Sequence, residues 1–154
     1  MRLDEASLVR WGHRIGSTSV TPIVIGLRGD LGAGKSVLAR AIGEGAGVSQ
    51  AMPSPSYNLL FRYPADDGLE VVHLDLYRLE SPDELWELGW QQLGADHEIV
   101  LVEWPGRAED MMPKDYWIID LTVPDDDYKV REVGVDRVGS APDLAAFPMS
   151  VSGS

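Results

Sequence analysis

The chain has no cysteine, which excludes a disulfide framework and any thiolate metal centre. No stretch approaches the roughly twenty consecutive apolar residues that a membrane-crossing helix needs, and no basic, hydrophobic leader opens the sequence. The expectation is a cytoplasmic protein with no membrane contact. Positive charge is scarce: 13 Lys and Arg against 25 Asp and Glu leave a net charge of −12, too few cations to make a broad footprint for nucleic acid. Internal repeats and heptad runs are absent as well. What remains is 154 residues at 44% hydrophobic content, enough for one compact domain with a real core and too few for two of comparable size.

The octapeptide GDLGAGKS, Gly29 to Ser36, fits the phosphate-loop pattern G-x-x-x-x-G-K-[ST] directly after the apolar run Pro22 to Leu27. Glycines let the backbone fold closely around an anion, so that N–H groups and the start of the next helix face phosphate oxygens. Asp30, Leu31, Gly32, Ala33, Gly34, Lys35, Ser36 and Val37 are therefore the candidate nucleotide-binding residues. Lys35 supplies a point charge in what reads as a solvent-filled phosphate site, and Ser36 supplies a hydroxyl for Mg²⁺. The cofactors expected are ATP and Mg²⁺.

Around this loop the sequence predicts an amphipathic helix over Leu3 to Ile15, with Asp4 as N-cap and Gly16 as stop, a strand at Ile23 to Leu27, and a helix at Lys35 to Ala46. A Pro-rich connector, Met52 to Ser56, leads to a hairpin of Tyr57 to Tyr63 and Leu69 to Leu79. Ser81, Pro82 and Glu84 carry helix-start signals, with an end near Gly89 and a short helix at Gln91 to Leu93. Strands follow at Ile99 to Trp104, Tyr116 to Val123 and Tyr128 to Val135. This is an α/β pattern, with one domain over residues 1–138 and a flexible tail over 139–154, where the chain turns small and nearly uncharged.

In the predicted strand Val71 to Arg78, period two sets His73, Asp75 and Tyr77 on a polar face and Val72, Leu74 and Leu76 on a core face. Ile99 to Glu103 is four apolar residues ending in an acid, the arrangement in which a carboxylate at a strand end meets Mg²⁺ or its water shell. Asp75 and Glu103 are thus two candidate catalytic acids beside Lys35, and periodicity does not rank them. Ser54, Pro55, Ser56 and Tyr57 fall where phosphate-loop proteins often place a mobile switch.

Taken in order, these motifs resemble the TsaE family, also called YjeE, the small bacterial ATPases of tRNA threonylcarbamoyladenosine formation. GDLGAGKS stands for the family's GDLGAGKT, SPSY (Ser54 to Tyr57) for SPTF or SPTY, HLDLYRL (His73 to Leu79) for H-x-D-x-Y-R-L, and VEWP (Val102 to Pro105) for the IEW motif. With Leu88-Gly89 between them, the resemblance spans roughly residues 4 to 137. It implies a P-loop NTPase-like three-layer sandwich with a mostly parallel central sheet and an antiparallel hairpin. It also implies ATP hydrolysis that supports turnover of a complex with TsaB-like and TsaD-like partners, with tRNA contacted only indirectly. Carried over, Lys35 and Ser36 would bind phosphate and Mg²⁺, Glu103 would be the second metal-linked ligand, and Asp75 would support hydrolysis. Glu5 would approach the adenine, while Ser54 to Tyr57, His73, Tyr77, Arg78 and Trp104 would serve switch or partner contact.

Ser36 and Ser56 replace threonines and keep the hydroxyl, and Gly106 departs from the polar residue that commonly follows the EWP segment. Two other readings share the loop and the chain length. A small-molecule or nucleoside kinase needs an arginine-bearing lid, yet no arginine lies between Gln91 and Pro105. A nucleotide-dependent interaction switch would bind ATP without turning it over.

Overall fold

The structure is a computed structural model that describes residues 1–52 and 59–147. The Asp4 carboxylate accepts the Ser7 N–H at 2.8 Å, which fixes the start of helix α1 (Glu5–Thr18) as its N-cap chemistry predicts. Two features differ from the sequence reading. A three-residue strand, β1 (Arg2–Asp4), precedes the helix, too short to show periodicity of its own. Gly16 does not stop α1 but lies inside it, at the crossing with helix α2 (Lys35–Ala46), where an added Cβ would sit 2.0 Å from the Ile42 carbonyl oxygen.

The remaining strands are β2 (Ile23–Arg28), β3 (Leu60–Pro64), β4 (Glu70–Asp75), β5 (Glu98–Glu103), β6 (Tyr116–Thr122) and β7 (Val130–Val138), with one short helix, α3 (Asp83–Glu87). They form a seven-stranded sheet in the order β1-β7-β6-β2-β5-β4-β3. The middle pairs, β6–β2, β2–β5 and β5–β4, are parallel, and antiparallel pairs flank them on both sides, β3–β4 at one edge and β6–β7–β1 at the other. Central β5 is buried along its whole length. Ile99 and Leu101 join the core under α1 and α2, while Val100 and Val102 join a second core under α3 and the 3-10 segments Trp90–Gln92 and Pro105–Met111. Apolar cores on both faces make the three-layer α/β sandwich.

β4 ends at Asp75, four residues short of the predicted Leu79, because the Asp75 carboxylate accepts the Tyr77 N–H at 3.0 Å and turns the chain out of the sheet. At α3 the helix-start residues act reciprocally, with Ser81 Oγ accepting the Asp83 N–H at 3.1 Å and Ser81 N–H donating to Glu84 at 3.3 Å. A left-handed Gly89 follows, as expected of a helix end. The predicted strand starting at Tyr57 begins at Leu60 within the described residues, and β7 runs three residues past the predicted Val135.

The segment from Gly139, read from composition as flexible, packs on the domain as far as Phe147. Ala141 is fully buried, Trp117 Nε1 donates to the Pro142 carbonyl at 2.7 Å, and Trp11 Nε1 donates to the Ala145 carbonyl at 2.9 Å. The Phe147 ring lies 4.8 Å from that of Trp11. Composition undercounts such a segment because its anchors are main-chain carbonyls that satisfy two indole N–H groups. Residues 148–154 lie outside the described residues. Truncation after Val138 is therefore expected to lower Tm by about 4 °C or more, since two buried donors lose their partners and the Trp11 face is uncovered. Differential scanning fluorimetry checks this, and an unchanged Tm would mean that the segment contributes nothing to the fold.

Candidate functional site

β2 delivers the chain to the Gly29–Ser36 loop at the carboxyl end of the parallel strands, where open α/β sheets gather ligands. Gly34 caps α2 in the left-handed conformation, φ 105°, which a side chain would strain. The first helical bond runs from Leu38 N–H to Gly34 O at 3.0 Å, so α2 begins directly at the end of the loop.

Lys35 differs from expectation. It is buried rather than projecting into solvent, donates from Nζ to the Gly29 and Asp30 carbonyls at 2.5 and 2.9 Å, and lies 4.3 Å over the Trp104 ring. Burial pushes its ammonium below the usual lysine range, against the pull of Glu103, Asp75 and Asp30. Trp104 reaches this position because β5 ends in a left-handed residue, φ 60° and ψ 51° at Trp104, which turns the indole back over the loop. Tyr77 packs against it at 5.0 Å, and Arg107 lies over the Tyr77 ring.

Beneath the loop three polar side chains connect. Ser36 Oγ donates to the Glu103 carboxylate at 3.3 Å, and His73 Nε2 donates to Glu103 Oε2 at 2.5 Å. His73 is only 1% exposed, so it stands behind Glu103 and not on a switch or partner surface. The face that period two assigned as polar is thus an interior one: Val71 on the same face is buried, and Tyr77 lies beyond the strand end. Asp75 is in register with Glu103 on the neighbouring strand. Its carboxyl is pushed above the ordinary aspartate range, chiefly by burial and further by Glu103, while the Tyr77 N–H, His73 and Lys35 oppose the shift.

A cavity of about 330 Å³ is lined by Lys35, Ser36, Asp75, Glu103, Tyr77 and Trp104 together with Leu31 and the loop glycines. A second, of about 430 Å³, shares Gly32, Gly34 and Val37 with the first and extends to Glu5, Leu8, Tyr128, Lys129 and Arg131. The structure thus brings together most of the residues that the motifs single out, with Glu5 on the far side of the loop. Ala33 is buried behind it, Arg78 is exposed outside both cavities, and Ser54 to Tyr57 lie outside the described residues. No motif pointed to Tyr128, Lys129 or Arg131, which sit in an ordinary strand and its approach.

The Ser36 hydroxyl and the Glu103 carboxylate are hard oxygen donors within reach of one another at the cavity wall, a set that suits Mg²⁺. A different acidic group, Glu70 with His97 and Glu98, lies at the opposite end of β4 and β5. There Arg62 pairs with both carboxylates at 2.6 and 3.0 Å, and Glu98 also accepts the Gly94 N–H. That group is an ion-pair network closing one end of the sheet. Among the described residues no helix is long and apolar enough to cross a membrane.

The sequence profile of the family described as threonylcarbamoyl adenosine biosynthesis protein TsaE matches residues 3–133. The tRNA threonylcarbamoyladenosine biosynthesis protein TsaE of Haemophilus influenzae is 30% identical over 141 residues, covering 88% of this chain and 89% of its own. That of Streptomyces coelicolor is 35% identical over 132 residues, covering 83% and 88%. The crystal structure of Bacillus subtilis YdiB superposes with a TM-score of 0.65 at 24% identity, over 90% of this chain and 83% of that one, a likeness of fold.

The raised Asp75 value has a consequence for stability. The folded chain holds this proton more tightly than the unfolded chain does, so the stability lost to a charged Asp75 is recovered as pH falls through the raised value. Asp75→Asn removes the charge and keeps an acceptor for Tyr77 N–H. In nucleotide-free protein it should raise Tm by a few degrees at pH 7 to 8. The gain should shrink as pH falls and vanish below about pH 4, the unfolded aspartate value. Thermal melts across pH check this; a lower Tm at neutral pH would contradict it.

Proposed function

The chain belongs to the TsaE family, and on that premise we propose that it binds ATP·Mg²⁺ at the Gly29–Ser36 loop and hydrolyses it to support turnover of the machinery that forms threonylcarbamoyladenosine in tRNA. TsaB-like and TsaD-like proteins are its partners in the cytoplasm, and a net charge of −12 favours contact with tRNA through them rather than directly. The observation that carries the reading is the Ser36–Glu103 pair, which sets a hydroxyl and a buried carboxylate together at the mouth of a phosphate loop.

In this reading the start of α2 receives the phosphates, and Lys35 exchanges the Gly29 and Asp30 carbonyls for phosphate oxygens. Ser36 and Glu103 would hold Mg²⁺, which when bound would offset charge on the phosphates. His73, bonded to Glu103 Oε2, would hold the carboxylate in one orientation as a ligand. Asp75 orients the attacking water, and its raised value brings the carboxylate closer to proton acceptance near neutral pH. The water oxygen bonds to the γ phosphorus as the bridging oxygen leaves with ADP, and the water proton passes to Asp75. The cavity beyond Gly32, with Glu5 and the exposed Tyr128, takes the nucleoside.

The roles of the two acids predict different phenotypes. Glu103→Ala should weaken Mg²⁺-dependent ATP binding about tenfold or more and leave binding in EDTA nearly unchanged. Asp75→Asn should bind ATP·Mg²⁺ within a few-fold of wild type and lose about a hundredfold in hydrolysis with partners present. Lys35→Ala should abolish tight binding. Isothermal titration and phosphate release measure these, with small alcohols and nucleosides tested as phosphate acceptors. Phosphate transfer to an acceptor would favour a kinase, and exchanged phenotypes for the two acids would reverse their roles.

A further inference from the structure

Among the described residues the Arg131 side chain makes four hydrogen bonds, all to peptide carbonyls. Nε donates to Ala33 O at 3.0 Å and Nη2 to Gly32 O at 3.3 Å, while Nη1 donates to Tyr128 O at 2.8 Å and Val130 O at 2.9 Å. Two acceptors belong to the phosphate loop, one to the approach to β7 and one to its first residue, a separation of 98 residues between Arg131 and Ala33. The guanidinium therefore ties the loop to the sheet from behind. Its own backbone is well anchored, because Arg131 pairs with Leu3 of β1 in the antiparallel edge.

In a trans peptide the C=O of one residue and the N–H of the next point in opposite directions. Holding Ala33 O toward Arg131 therefore turns the Gly34 N–H the other way, into the loop. Holding Gly32 O does the same for the Ala33 N–H, which closes on Asp30 O at 3.0 Å. Charge gives a second, independent argument. The chain has 25 acidic residues, yet among the described residues none forms an ion pair with Arg131. Its positive charge stands, without a carboxylate at ion-pair distance, next to a loop that is to receive an anion.

We propose that Arg131 is a positioning residue of the phosphate loop, holding the Gly32 and Ala33 carbonyls away from the bound phosphates and lending the site a positive charge held by main-chain carbonyls rather than by an ion pair. The proposal rests on the nucleotide reading above. Lysine cannot replace it, since one ammonium lacks the planar fork that reaches four carbonyls at once.

The test measures binding of ATP·Mg²⁺ and of inorganic tripolyphosphate, which has no base or ribose, to wild type, Arg131→Ala, Arg131→Lys and Lys35→Ala, with Tm recorded for each. Arg131→Ala should weaken both probes by about tenfold, and Arg131→Lys should recover only part of that loss. Affinities within twofold of wild type in a folded Arg131→Ala, whatever its Tm, would reduce the residue to a staple of β7 and overturn the proposal. Loss confined to ATP would also overturn it, because the residue would then be acting on the nucleoside. If Arg131→Ala does not fold, Arg131→Lys decides: both probes weakened about threefold or more support the brace, and wild-type affinity overturns it. If wild type binds neither probe, the nucleotide reading falls and the brace with it. If wild type binds, Lys35→Ala does not, and the Arg131 variants match wild type, the brace alone fails.

Discussion

A carboxylate at the end of a strand buried on both faces has to be held by other groups, and Glu103, 2% exposed on β5, is that carboxylate here. Taking an ionised carboxylate out of water costs several kcal/mol, whereas hydrogen bonds to a charged group return about 1.5–3 kcal/mol each. One partner does not suffice on that scale, and two are supplied, His73 from β4 and Ser36 from the start of α2. The three elements are thereby locked in the register that places the Gly29–Ser36 loop over the strand ends. Asp75, one strand away in the same register, adds a second carboxyl whose charge the interior disfavours. Holding two acids so close is unfavourable for the empty fold and suits a site that receives a divalent cation and a polyphosphate.

The chain beyond β5 turns through Trp104 in a left-handed conformation, at a cost of about 1–3 kcal/mol for a residue other than glycine. What this achieves is visible: the indole covers Lys35 and meets Tyr77, so the turn after β4 and the turn after β5 close on the phosphate-loop lysine from the same side. Arg131 holds the opposite side of the loop. Loop geometry is thus set from two directions, by aromatic packing in front and by a guanidinium behind.

The Gly29–Ser36 loop between strand and helix, the strand before it and the acid ending β5 were legible in the sequence because each is a local pattern with one physical cause. Glycines where the backbone takes positive φ, an apolar run and a terminal carboxylate need no knowledge of the rest of the chain. His73 was legible as a residue of interest but not in its role, since period two separates the faces of a strand without saying that both are covered. β1 is too short to carry a period, and the anchoring of residues 140–147 depends on indole donors at Trp11 and Trp117, far away in sequence. Arg131 carries no local signal at all, because its partners are main-chain carbonyls that any sequence would offer.

The central claim is that the buried Ser36–Glu103–His73 connection is the protein part of a magnesium site for a nucleoside triphosphate. Its most direct test is a crystal structure of the chain with Mg²⁺ and a non-hydrolysable ATP analogue. The account predicts the ion about 2.1 Å from Ser36 Oγ and from phosphate oxygens, linked to Glu103 directly or through one water, with Lys35 moved from the Gly29 and Asp30 carbonyls onto the phosphates. A nucleotide bound with Mg²⁺ away from Ser36, and Glu103 still bonded only to Ser36 and His73, would contradict it.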